Sequence, residues 1–200
     1  MSDQRLSAPS ALRNREPILA VLRDALPASG LVLEIASGSG EHVVHFAAAL
    51  PGLTFQPSDP TAEALASIAA HAGDSGLPNI RPPLQLDAAA ADWPLKAADA
   101  IICINMIHIA PWSAAEGLIA QAGRILPGGG VLCLYGPYRR PGRELEPGNL
   151  AFDESLRSRN PEWGLRELDA VAALAAASGF AAPEVIEMPA NNLSLVFRRG

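Results

Sequence analysis

Two hundred residues, 49% of them hydrophobic, suffice for one core without disulfide or metal staples, so a single domain over 1–200 is expected. A formal net charge of −6 argues against a general nucleic-acid binder, which would normally show a basic face. No run reaches the roughly 18 apolar residues that span a bilayer, and the opening MSDQRLSAPS lacks a basic-then-apolar export pattern. The expectation is a cytoplasmic protein with no membrane partner, and the chain carries no signal for an oligomeric state.

Pro17 suits the first turn of a helix whose apolar stripe is Ile18, Leu19, Val21, Leu22 and Leu26, which puts Arg13 and Asn14 just before it. Leu31, Val32, Leu33 and Ile35 read as a strand buried on both faces, as in a parallel sheet. A glycine turn at Gly38 and Gly40 leads into a helix over 41–50, stopped by Pro51 and Gly52. A second strand follows at 53–56 and is ended by Asp59 and Pro60. Next come an alanine-rich helix over 61–72, strands over 81–86 and 99–105, a helix over 114–126, and a Pro-Gly-Gly-Gly reversal into a strand at 131–135. Residues 136–164, with Tyr138, Phe152 and Trp163 among prolines and glycines, are the least regular stretch and are expected to form a substrate lid. A helix over 166–178 precedes EVIEMPANNLSLVFRR, which reads as two strands joined by a tight turn. The alternation of strands and helices predicts α/β architecture around a parallel sheet.

The stretch LVLEIASGSGEH carries the most chemistry. Glycines let the turn adopt unusual backbone angles and let a ligand approach the main chain, while the free N–H groups of the next helix face that ligand. A dinucleotide fingerprint would place a third glycine or alanine where this chain has Val43. Asp59, in FQPSDP, sits near the roughly 20-residue spacing expected of a ribose-binding acid. That spacing fits a nicotinamide enzyme as well as other nucleotide binders.

Asp87 in LQLDAAA, together with ADAIICINMIHIAPW, makes the chain resemble the class I S-adenosylmethionine-dependent methyltransferases. The phrases ALRNREPIL, LEIASGSGEH, QPSDP, INMIHIAPW, LYGPY, NPEWG and MPANNLSLVFRR resemble the family that includes methyltransferase-like protein 26. The resemblance implies a Rossmann-like fold: a mostly parallel seven-stranded sheet, helices on both faces and a C-terminal antiparallel hairpin. It also implies S-adenosylmethionine as cofactor. Ala36 departs from the glycine many class I members carry two residues after the strand acid.

What the resemblance implies for the cofactor is a division of labour. Glu34 would meet the ammonium, with Ala36, Gly38 and Gly40 passing under the methionine. Asp59, followed by Pro60, would take the ribose diol, Asp87 and Ala88 the adenine edge, and Arg13 with Asn14 the carboxylate. Asn105, Met106 and His108 follow the fourth strand, where the methyl would be presented. His108 is the candidate general base, and Tyr135 a second candidate for orienting the acceptor. Tyr138, Trp163, Asn191 and Asn192 are candidates for acceptor contact. The acceptor is expected to be a small molecule, with a protein or an RNA as the alternative, and a catalytically silent cofactor-binding module as a further one. Cys103 and Cys133 lie in apolar runs on neighbouring strands and read as buried thiols. Four scattered histidines give no metal-ligand spacing, and no metal is expected.

Overall fold

The computed structural model describes residues 4–200. Helix α1 spans Pro9–Ala25, eight residues earlier than the Pro17 start expected from sequence. Pro17 lies inside it and removes the hydrogen bond that its N–H would have given to the Arg13 carbonyl, at a cost of about 3 kcal/mol. Burial of Ala11, Ile18, Leu19, Val21 and Leu22 outweighs that cost, since each large apolar side chain contributes roughly 1.5–3 kcal/mol. Arg13 and Asn14 are therefore helical residues rather than a preceding segment.

Strand β1 (Gly30–Ile35) leads to α2 (Glu41–Ala49), β2 (Leu53–Asp59) and α3 (Ala62–Ser75), whose cap is Thr61. The second strand runs on through Asp59, three residues beyond the expected end, and so delivers that carboxylate at its tip. The third strand, β3, is cut to Leu84–Gln85, because Pro82 and Pro83 have no N–H to give a ladder. Strand β4 (Ala100–Ile104) precedes a 3₁₀ turn at Met106–His108, α4 (Trp112–Ile125) and β5 (Val131–Gly136).

The stretch read as irregular contains β6 (Tyr138–Arg139) and a 13-residue helix, α5 (Pro147–Arg159). Arg166–Glu167 is β7, paired with β6, so α6 begins at Leu168 and ends at Ala177. Strands β8 (Glu184–Met188) and β9 (Asn192–Arg198) form the expected hairpin.

The main sheet has seven strands in the order β3-β2-β1-β4-β5-β9-β8. The first five are parallel, and β9 inserts antiparallel between β5 and β8. Strand β8 therefore runs parallel to the first five, and its turn falls on the carboxyl edge, where open α/β sheets bind ligands. One core packs α1, α2 and Ile68 of α3 on one face, around Phe46 and Phe55. The other packs α4 and α6 on the opposite face, around Leu118, Phe180 and Phe197. Cys103 and Cys133 lie in different cores on opposite faces, so their adjacent strands do not bring the thiols together. No helix among the described residues is long and apolar enough to cross a membrane.

Candidate functional site

The turn after β1 is stitched to the tip of β2. Ser37 N–H donates to the Ser58 carbonyl at 2.8 Å, Ser58 Oγ donates to the Glu34 carbonyl at 2.7 Å, and Gly38 N–H donates to Asp59 Oδ2 at 3.1 Å. Asp59 Oδ1 accepts from the N–H and hydroxyl of Thr61, so one carboxylate fixes both the turn and the start of α3 while Oδ2 keeps acceptor capacity. Gly40 takes φ +91°, and a Cβ there would sit 2.8 Å from Ile68 Cα, so only glycine permits this approach of α2 to α3. Above Gly38 the space is open, with no atom within 4 Å of where a Cβ would lie. Ala36 takes φ +54° without being glycine, a strained position costing roughly 1–2 kcal/mol.

Glu34 is 2% exposed, and its Oε2 has no hydrogen-bond partner. Burial lifts its pKa from 4.5 to about 7; a hydrogen bond from Ser37 opposes the rise and the Asp59 charge adds to it. A carboxylate left unpaired in an apolar setting is costly unless protonated or matched by a cation.

Two cavities open along the carboxyl edge. A cleft of about 290 Å³ lies between the β1, β2 and β4 tips and is lined by Ala36, Asp59, Pro60, Asp87, Ala88 and Met106 among others. Asp87 is exposed and turns its Oδ1 to the Ala89 N–H at 2.9 Å. A larger cavity, of about 490 Å³, has one wall from α1, where Ser10, Arg13, Asn14 and Pro17 share a face at helical spacing. Asn105, Tyr135 and Pro137 form its floor, with Gly148, Asn149 and Phe152 of α5 and Pro189, Ala190 and Asn192 of the hairpin around them. Ile104 and Met106 face the cleft, and Asn105 between them faces the cavity. Asn105 achieves this with φ +62°.

One hydrogen bond joins α2 to α1 at the wall of the larger cavity. His42 Nε2 lies 2.8 Å from Asn14 Oδ1, which can only accept, so that nitrogen carries the hydrogen. Burial lowers the His42 pKa to about 4 despite Glu41 nearby, keeping the ring neutral. Tyr135 lines the same cavity as Asn14, and its hydroxyl is pushed above its ordinary pKa by burial, with Asn14 opposing the rise. Tyr135 O–H remains a donor.

The expected site residues do not all converge. His108 is fully buried, lines neither cavity, and lies directly behind Gly136, where a Cβ would come within 2.5 Å of its Nε2. Both ring nitrogens lack partners, the ring packs edge-on against Tyr138 at 4.9 Å, and burial drives its pKa down to about 3. Tyr138 is buried beside it and borders only a separate recess of about 90 Å³, which Asn191 also lines. Trp163 faces neither cavity and lies under the Arg159 guanidinium. Asn192 reaches the larger cavity, whereas the Asn191 carbonyl accepts from Asn149 Nδ2 at 3.0 Å. Ser10, Pro17 and Asn149 were not singled out as lining residues, and Phe152 was named only as part of the lid stretch. Pro147–Gly148–Asn149 has proline at the first helical position, a helix-start signal that would have exposed α5.

The stretch over 136–164 is pinned at one end. Asp153, 3% exposed, accepts from Arg139 at 2.6 Å, Arg157 at 3.1 Å and the Leu165 N–H at 2.7 Å. Those donors hold its carboxyl below the usual range against the opposing effect of burial. Gly164 N–H donates to the His108 carbonyl, and Arg166 donates to the Ile107 and Ala110 carbonyls. The cavity end of α5 is tied by the exposed Asn149–Asn191 contact.

The family model described as protein of unknown function (DUF938) matches residues 5–199. The chain belongs to that family. This family member overlays an O-methyltransferase family protein from Burkholderia thailandensis at TM-score 0.81 and 17% identity, covering 96% of this chain and 57% of that one. Human N-acetylserotonin methyltransferase, solved with SAM, gives TM-score 0.78 at 17% identity, with 96% and 55% covered. An O-methyltransferase family 2 protein from Planctomyces limnophilus, complexed with apigenin, gives 0.75 at 20%, with 96% and 65% covered. The family member spans between a half and two thirds of the length of these proteins. Its fold is that of the Rossmann-like methyltransferases, with the C-terminal antiparallel hairpin.

Proposed function

We propose that this chain is an S-adenosylmethionine-dependent methyltransferase acting on a small molecule, as one domain over 1–200 with residues 136–164 as a cap over the acceptor. The observation that carries the reading is the split at the β4 tip, where Ile104 and Met106 line a cleft of about 290 Å³ and Asn105 lines a separate, larger cavity. The residues present fit the cofactor. The orphaned Glu34 carboxylate suits an ammonium, the open turn at Gly38 suits a close-lying chain, and Asp59 Oδ2 retains a lone pair for a ribose hydroxyl. Pro60, Asp87 and Ala88 would border the adenine, and Arg13 with Asn14 would meet the methionine carboxylate. S-adenosylmethionine supplies an electrophilic methyl group on a sulfonium whose departure needs no acid.

The protein's own part is alignment and exclusion of water. Asn105 and Tyr135 orient the acceptor, and α5 with the hairpin shields it. A volume near 490 Å³ is the size of a drug-like ligand, which favours a small acceptor over a protein or RNA. The small-molecule setting of the structural neighbours and the resemblance to the methyltransferase-like protein 26 family support the same reading. Calorimetry with S-adenosylhomocysteine and with NADH tests it: binding of the first and not the second is expected. Binding of NADH alone would overturn the assignment.

A further inference from the structure

The larger cavity offers donors and no working proton acceptor. Its charged or titratable side chains are Arg13 from α1 and Tyr135 from β5; the lining residues of the β4 tip, α5 and the hairpin are not titratable. Behind these walls, His42 has its Nε2–H engaged with Asn14, Glu34 is buried within β1 and does not line the cavity, and His108 is sealed behind Gly136. Tyr135 is a buried phenol whose pKa lies above its ordinary value, so it meets a ligand as an O–H donor rather than as a base. Phe152, Pro137 and Pro189 add flat apolar walls. A neutral alcohol would meet no lining side chain able to take its proton.

Resting on the methyltransferase reading, we infer that the acceptor enters already ionised, as an aromatic weak acid of the thiol or acidic-phenol class whose anionic sulfur or oxygen is the nucleophile. The lone pair of that atom forms the bond to the methyl carbon while the carbon–sulfur bond of the sulfonium breaks with its pair left on sulfur. Charge cancels and no proton moves. The Tyr135 O–H and the Asn105 amide stabilise the anion on arrival.

Absorbance titration of the protein saturated with S-adenosylhomocysteine tests this, because the cofactor's carboxylate is then already in place. The probes are 4-nitrophenol and 4-nitrothiophenol, whose ionisation is coloured, against the uncharged 4-nitroaniline and 4-nitrobenzyl alcohol. The anions should bind at least about tenfold tighter than the neutral shapes, with the bound midpoint of ionisation shifted down. Tyr135→Phe should shrink that preference several-fold while keeping the homocysteine product bound. In turnover with S-adenosylmethionine, the pH–rate inflection should move with the acceptor's own ionisation from phenol to thiol. Neutral probes bound as tightly as the anions, no anion bound, or an inflection that stays fixed when the acceptor changes would each overturn the inference. Failure of S-adenosylhomocysteine to bind at all would strike the methyltransferase reading instead.

Discussion

Glu34→Gln is the most telling substitution because the side chain is buried, unpaired at Oε2, and neutral in the folded protein at mildly acidic pH. Its pKa rises from 4.5 to about 7 on folding, chiefly through desolvation. At 1.36 kcal/mol per unit, that difference amounts to about 3 kcal/mol of linkage. The sign follows from a raised folded value: the stabilising contribution is fully present below pH 4.5 and is lost as pH rises through 7. His42 and His108 run oppositely, since their folded values are lowered to about 4 and about 3, so their contributions are lost as pH falls below 6.5. Subtracting the variant's curve removes both histidines. Urea unfolding at pH 4, 5, 6, 7 and 8 should show Glu34→Gln gaining on the parent by about 3 kcal/mol across the range, with a plateau above pH 7. Parallel stability curves would refute the idea that Glu34 is buried without a charge partner. The same group should release a proton when S-adenosylhomocysteine binds at pH 6, read as a dependence of the calorimetric heat on buffer ionisation enthalpy and absent in the variant.

Asp59→Ala should weaken S-adenosylhomocysteine binding by about 1.5–3 kcal/mol, the range for losing a charged hydrogen bond, and an unchanged dissociation constant would move the ribose site elsewhere. Asp153→Ala removes the acceptor shared by Arg139, Arg157 and Leu165, so hydrogen exchange should accelerate in 147–159 while the sheet stays protected. Ala36→Gly relieves a left-handed alanine and should raise Tm by about 1–3 °C once the added chain entropy of glycine is deducted, which a thermal melt can check. His108→Gln should keep turnover within about tenfold, short of the 10²–10⁴-fold loss that removal of a general base would cause, because the ring reaches neither cavity.

The strand, turn and helix around Gly38 and Gly40 were legible because an apolar run, two glycines and a proline stop are all local signals. Asp59 and Asp87 were found for the same reason, each closing a short apolar strand. Arg13 and Asn14 were singled out, yet their setting was misjudged: Pro17 read as a helix start, and only the burial of Ala11 beside Ile18 shows that packing carries the helix past it. The bond between His42 of α2 and Asn14 of α1, beside Tyr135 of β5, joins elements far apart in sequence, so no window contains it. His108 followed a strand tip and looked poised for chemistry. What sealed it was the absence of a side chain at Gly136 on the neighbouring strand, a property of the sheet's register.

The two cavities differ in how much of the chain each must gather. The cleft draws its lining from residues 35–114, a contiguous stretch that closes through nearby βα units. The larger cavity needs Ser10 of α1 and Asn192 at the start of β9, and β9 itself must slot between β5 and β8. Closing so long a loop is slow, because its entropy is lost before any contact rewards it. During folding, the cleft would therefore be shaped before the larger cavity exists. A nick in the β8–β9 turn would undo them in the reverse order.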